Sequence, residues 1–217
     1  MLPFQSTFET GGKTIRLDCF IPNENGRRFP AIISLHGAGG DFEGMAEPAS
    51  LLASRGFAVY VLHYFDRTGT TSADKQAIFT NFPVWMKTLW DAVSHVERRP
   101  EVDPKRIALL GFSLGAYLSL SDAAIDSRIC AVVDFFGGLP KEMKLFMRRL
   151  CPVLILHGER DLTVPVEEAY HLQKVLEKKN VPYEMHIYPN AGHGFTGAEW
   201  MDAQQRTLDF FRQHLNS

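Results

Sequence analysis

The sequence carries no strong excess of charge, no long apolar run and no array of metal-binding residues, and each absence removes a class of function. Lys and Arg total 23 against 25 Asp and Glu, a formal net charge of −2. That balance leaves no basic footprint for a nucleic acid and no like-charged tail. No window approaches the roughly 20 apolar residues needed to cross a bilayer, so neither nucleic acid nor membrane is an expected partner. The N-terminus, Met1-Leu2-Pro3-Phe4-Gln5-Ser6-Thr7, lacks a basic segment followed by an apolar stretch. No signal peptide is expected, and the cytoplasm is the default location. Cysteine is scarce: Cys19, Cys130 and Cys151 are an odd set in apolar surroundings, which favours buried reduced thiols over disulfides. No His-Glu-X-X-His or Cys-X-X-Cys spacing occurs, and the one glycine-rich loop lacks the lysine of a phosphate loop. Neither a metal nor an organic cofactor is expected.

What remains is an ordinary globular chain. Its 217 residues, 45% hydrophobic and 22% charged, suit one domain over 1–217 with a substantial core. No repeat, low-complexity tract or linker interrupts it. A hairpin of Ser6–Thr10 and Ile15–Phe20 is expected first. Strand-like and helix-like segments then alternate from about residue 31, the rhythm of a mostly parallel, doubly wound sheet. Strands are expected at Ala31–Leu35, Ala58–Leu62, Ile107–Gly111, Ile129–Phe136, Pro152–Gly158 and Tyr183–Tyr188. Helices are expected near Glu43–Arg55, Phe82–Arg98, Leu114–Ala124, Val166–Lys179 and Glu199–Leu215. Lys141–Arg149, apolar on one side and charged on the other, reads as a short amphipathic helix.

One segment stands out within that rhythm. Ile107-Ala108-Leu109-Leu110-Gly111-Phe112-Ser113-Leu114-Gly115-Ala116 is a strand ending in Gly-X-Ser-X-Gly and continuing as a helix. That context is what a nucleophile elbow requires, with Ser113 at the apex. A serine hydroxyl needs a base, and the base needs an orienting group. Asp161 follows the apolar run Pro152–Gly158, and His193 lies in the glycine-flanked loop Pro189-Asn190-Ala191-Gly192-His193-Gly194-Phe195. The order Ser, Asp, His is that of the α/β-hydrolase fold. Strand Ala31–Leu35 ends in His36-Gly37-Ala38-Gly39-Gly40, a turn able to expose backbone N–H groups. The expected oxyanion donors are Leu114 and Ala38, or else Gly39. Right-handed crossovers put all four segments on one edge of the sheet.

Each role has a plainer alternative. Asp161 also suits a turn or helix cap before Val164-Pro165, and Asp134 is a reserve acid. Among the other histidines, His36 and His157 suit the shaping of loops, and His63 is a weaker rival. The aromatics Tyr64, Phe65, Phe79, Phe82, Trp85, Phe136, Phe146 and Phe195 include candidates for a substrate pocket, although core is the commoner fate of such residues.

Leu35–Gly40, Gly111–Gly115, His157–Pro165 and Ala191–Phe195 together resemble the dienelactone hydrolase family of α/β-hydrolases over nearly the whole chain. The resemblance implies an α/β-hydrolase fold without a large cap domain and a small-molecule ester or lactone as substrate. Two departures stand out. The family's namesakes carry a cysteine nucleophile gated by a glutamate, where this chain has Ser113 and Gly37. They also hold the substrate carboxylate with two arginines; Arg67 matches the first, and Gly197 occupies the position of the second. These departures favour a general carboxylesterase; the resemblance makes Arg67 a candidate substrate contact, and Phe65 and Phe195 are candidates from among the pocket aromatics. A peptidase or acyltransferase on the same triad, a catalytically silent binding protein and a homodimer are left open.

Overall fold

The computed structural model describes residues 3–24, 26–41, 43–143 and 150–215. Its centre is an eight-stranded sheet formed by β1 (Phe4–Thr10), β2 (Lys13–Phe20), β3 (Phe29–Leu35), β4 (Ala58–Leu62), β5 (Val102–Phe112), β6 (Ile129–Phe135), β7 (Val153–Gly158) and β8 (Tyr183–Tyr188). The spatial order is β1-β2-β4-β3-β5-β6-β7-β8. β1 and β2 form the expected hairpin and join antiparallel; all pairings from β4 to β8 are parallel.

Every residue of β3, β4 and β7 is buried, as strands covered on both faces require. The covering helices are α1 (Ala46–Ser54), α2 (Lys75–Val96), α3 (Leu114–Ala123), α4 (Glu167–Lys178) and α5 (Gly197–Leu215). Two apolar clusters separate along the faces. Leu89, Leu118 and Leu172 bring α2, α3 and α4 onto one side, and Leu52, Leu208 and Phe211 bring α1 and α5 onto the other.

Most elements lie where the apolar pattern puts them, but β5 begins at Val102 rather than Ile107, and two helices differ at their starts. α2 begins at Lys75 rather than Phe82, because the Asp74 carboxylate accepts the Ala77 N–H (2.8 Å) as an N-cap and Pro83 falls inside the helix. The segment before α1 opens as a 3-10 turn over Glu43–Met45. The expected helix at Lys141–Arg149 falls largely on residues 144–149, which lie outside the described residues, as does Phe146. Residues 136–152 connect β6 to β7, too short a span for a cap domain.

Candidate active site

β5 delivers the serine. Ser113 has φ 52° and ψ −115°, outside the regions an L-residue ordinarily adopts. Such a conformation costs about 1–3 kcal/mol, so the surroundings must impose it. The Ser113 N–H donates to the Phe135 carbonyl and the Ser113 carbonyl accepts from the Ala116 N–H, each at 2.9 Å. A Cβ on Gly111 would stand 2.4 Å from Ala116 Cα, and one on Gly115 2.3 Å from the Leu35 carbonyl oxygen. These two glycines let α3 lie backbone to backbone on β5 and β3.

β7 delivers the acid. The Asp161 side chain is fully buried, and its oxygens divide the work. Oδ1 accepts the Thr163 and Val164 N–H groups (2.8 and 2.9 Å), while Oδ2 lies 2.7 Å from His193 Nδ1. One carboxylate thus makes both the local turn and the contact to the imidazole. His157 Nε2 lies 2.9 Å from the Val164 carbonyl and 3.5 Å from Asp161 Oδ2. The carbonyl can only accept, so this nitrogen carries a hydrogen. Burial keeps the His157 pKa below the ordinary imidazole range.

His193 enters from the loop between β8 and α5. Its Nε2 is 3.0 Å from Ser113 Oγ. The ring packs on Phe136, with centroids 4.8 Å apart, and its side chain is 24% exposed. Ser113, His193 and Asp161 are therefore brought into one continuous hydrogen-bonded chain.

The turn after β3 adjoins this chain. A Cβ on Gly37 would touch Ser113 Cβ at 3.4 Å. The Gly37 carbonyl accepts the Gly40 N–H at 3.1 Å and lies 2.7 Å from His36 Nδ1. In a trans peptide the N–H points opposite to the carbonyl, so the Ala38 N–H faces away from both of these groups. The Ala38 carbonyl is itself held by the Ala73 N–H (2.9 Å). Burial lowers the His36 pKa to about 4, so the ring that supports the turn is neutral. It stacks on Tyr64 at 4.2 Å, and the Tyr64 hydroxyl donates to the His36 carbonyl. Leu114 is the first residue of α3, a position whose N–H has no partner within the helix.

Other candidates fall elsewhere. Asp134 bonds to the Gly137 N–H, and His63 Nε2 lies 2.7 Å from Asp18. Arg67 belongs to a 3-10 turn, Tyr64–Arg67, and donates to the Gly11 carbonyl (2.8 Å) at the tip of the β1–β2 hairpin. It borders a cavity of about 700 Å³ that it shares with Thr10, Lys87, Asp91 and Arg98. β2 and β5 are three strand spacings apart, roughly 14 Å, so the structure does not bring Arg67 to Ser113. Nor does Asp66 pair with it, because Arg16 holds Asp66 through two guanidinium nitrogens. Phe65 is wholly buried between His36 and Trp85 and has no surface to offer a substrate. Phe195 is half-buried and packs edge-on against Phe136 (5.4 Å), one ring away from His193. Gly197 opens α5 and has no side chain with which to hold a carboxylate. The contribution of Phe135, whose carbonyl holds the elbow, has no sequence signal beyond its place at a strand end. Among the described residues no group of three or more His, Cys, Asp or Glu is placed to hold a metal ion.

The model of the dienelactone hydrolase family matches residues 17–215. The chain belongs to the dienelactone hydrolase family. A family relative from Yersinia pestis, named “putative carboxymethylenebutenolidase”, is 32% identical over 57% of this chain and 53% of its own length. Acyl-coenzyme A thioesterase 1 of Mus musculus is 36% identical over 78% of this chain and 40% of its own. The chain thus spans about half the length, or less, of these curated relatives. Among solved structures, a dienelactone hydrolase-like promiscuous phosphotriesterase from metagenomic libraries superposes with a TM-score of 0.86 at 18% identity, over 98% of both chains. An acylaminoacyl peptidase of Pyrococcus horikoshii gives 0.82 at 14% identity, over 99% of this chain and 42% of that one. Those likenesses establish the α/β-hydrolase fold. No helix among the described residues is long and apolar enough to cross a membrane.

Proposed function

We propose that the chain is a serine hydrolase that cleaves small carboxylic esters or lactones through an acyl-enzyme. The observation that carries this reading is the strained Ser113 backbone, which presents Oγ 3.0 Å from His193 Nε2, with His193 Nδ1 in turn 2.7 Å from Asp161. Ser113 Oγ attacks the substrate carbonyl while His193 Nε2 takes its proton. The Asp161 carboxylate fixes the tautomer with hydrogen on Nδ1 and stabilises the imidazolium. The Ala38 and Leu114 N–H groups face the developing oxyanion, and His193 returns the proton to the departing alcohol. Water, deprotonated by the same imidazole, then attacks the acyl-serine and releases the acid and a free Ser113. Nothing in these steps consumes a cofactor.

Thioesters are a second substrate class, favoured by the 36% identity to an acyl-coenzyme A thioesterase. The chemistry is shared, since only the leaving group changes from alcohol to thiol. Against a carboxylate-bearing lactone stands the engagement of Arg67 with Gly11 and the glycine at position 197. The separating experiment measures turnover of p-nitrophenyl esters from acetyl to decanoyl, together with matched acyl thioesters and acyl amides, by wild type and Ser113→Ala. Loss of a triad nucleophile costs up to about a million-fold in kcat. Ester or thioester turnover that disappears in Ser113→Ala supports the reading, and the preferred series names the class. Turnover that survives the substitution refutes it.

A further inference from the structure

The turn that leaves β6 carries a buried carboxyl for which the steps above have no use. Asp134 has no exposed surface and pairs with Gly111 of β5 on one side and Ile155 of β7 on the other. It therefore lies between the strands that deliver Ser113 and Asp161. Among the described residues no cation pairs with it. Oδ1 accepts the Gly137 N–H (2.8 Å), and Oδ2 has no hydrogen-bond partner among the described residues. Burial raises its pKa to about 7. An apolar residue of similar size would avoid that desolvation cost, so the carboxyl is best explained by the single bond it makes.

That bond spans Phe136, a non-glycine residue at φ 43°, in the left-handed region that bulky side chains avoid. The Phe136 N–H is held by the Leu156 carbonyl (2.8 Å), and the Asp134 bond to Gly137 closes the turn on its other side. The ring so placed lies 4.8 Å from His193 and 5.4 Å from Phe195. The residue before it, Phe135, accepts the Ser113 N–H. A Cβ on Gly137 would stand 3.1 Å from the Ser113 carbonyl oxygen, so the turn is wedged directly beneath the elbow.

We propose that Asp134 is a positioning residue: its carboxyl closes the β6 exit turn and so holds the Phe136 ring against the His193 imidazole, fixing that ring for proton transfer from Ser113. The proposal rests on the hydrolase reading and adds to it a residue that touches neither substrate nor reacting atoms. It predicts a defect in the chemical step rather than in binding, transmitted through Phe136 and relieved by any side chain that keeps an acceptor for the Gly137 N–H.

Steady-state kinetics on p-nitrophenyl acetate test it with Asp134→Asn, Asp134→Leu, Phe136→Ala and the Asp134→Leu/Phe136→Ala double variant. Asp134→Asn retains the acceptor and stays within about threefold of wild type. Asp134→Leu loses about tenfold in kcat, the worth of one net hydrogen bond, with KM changed less than about twofold. Phe136→Ala shows a similar loss, and the double variant is no worse than the poorer single one, because both act through one ring. A folded Asp134→Leu with wild-type kcat, a change confined to KM, or losses that multiply in the double variant would overturn the proposal. Should Asp134→Leu not fold, an unchanged kcat for Phe136→Ala overturns it alone. A wild type inactive on every ester sinks the hydrolase reading and this proposal with it, whereas an active wild type with indifferent variants sinks only the proposal.

Discussion

At the residue scale the site depends on how single side chains divide their bonds. Asp161 is the clearest case, with one oxygen given to the Thr163 and Val164 N–H groups and the other to His193. Its sequence position suited a turn and a catalytic acid alike, and the geometry accommodates both because a carboxylate has two oxygens. Asp161→Asn keeps an acceptor for the turn but offers an amide N–H to His193 Nδ1, favouring the wrong tautomer. kcat on an ester is expected to fall about ten-thousand-fold with little change in melting temperature. Near-wild-type kcat would remove Asp161 from the mechanism. The readings of Phe65 and Arg67 show where sequence runs out. Both follow β4 on a 3-10 turn, and nothing in Tyr64-Phe65-Asp66-Arg67 says which way that turn faces. Phe65 went inward under the glycine turn and Arg67 outward to the hairpin.

At the element scale the strand–serine–helix unit was legible, because a buried strand, a Gly-X-Ser-X-Gly turn and a small-residue helix constrain one another. The close approach behind Gly111 and Gly115 gives that pattern its physical content. Gly115→Ala would drive a methyl into the Leu35 and His36 carbonyls, 2.3 and 2.6 Å from the new Cβ. α3 must then shift from β3, costing about 1–3 kcal/mol, and the same shift moves the Leu114 N–H and lowers kcat. Urea unfolding and ester kinetics on that variant check both effects; unchanged values in both would mean that the packing is looser than described. Element boundaries were less legible. The start of α2 depends on the Asp74 cap, whose side-chain bond overrides the apolar pattern that begins at Phe82. The neighbours of β6 were not readable at all, since the order β3-β5-β6-β7 is set by long-range pairing.

At the scale of the whole molecule, a further buried carboxyl leads us to expect a stability that depends on pH. Asp122 in α3 has no exposed surface and, among the described residues, no hydrogen-bond partner for either oxygen. Burial, with Asp126 nearby, raises its pKa to about 8. The unfolded chain releases this proton near pH 4, so between roughly pH 4 and 8 the folded state binds more protons than the unfolded one. The contribution is fully present below that window and is lost as pH rises through it. Asp134, with its pKa near 7, adds a slope of the same sign. Urea midpoints of wild type are expected to fall between pH 5.5 and 8.5, and Asp122→Asn is expected to flatten that fall. Identical pH dependence in the two proteins would show that Asp122 is hydrated or paired in solution.

The fold class and the three residues that meet at the sheet edge follow from periodicity and motif order, because strand ends, crossovers and short loops leave few places for Ser113, Asp161 and His193. The supporting layer of His36, His157, Phe136 and Asp134 depends on packing between elements distant in sequence. The central claim is that Ser113 is a nucleophile activated by His193, and covalent labelling tests it most directly. Wild type, Ser113→Ala and His193→Ala are incubated with a fluorophosphonate, and the adduct is located by peptide mass mapping. The account predicts a single phosphonyl adduct on Ser113 in wild type, none in Ser113→Ala and labelling slowed by orders of magnitude in His193→Ala. An unlabelled wild type, or an adduct on another residue, would contradict it.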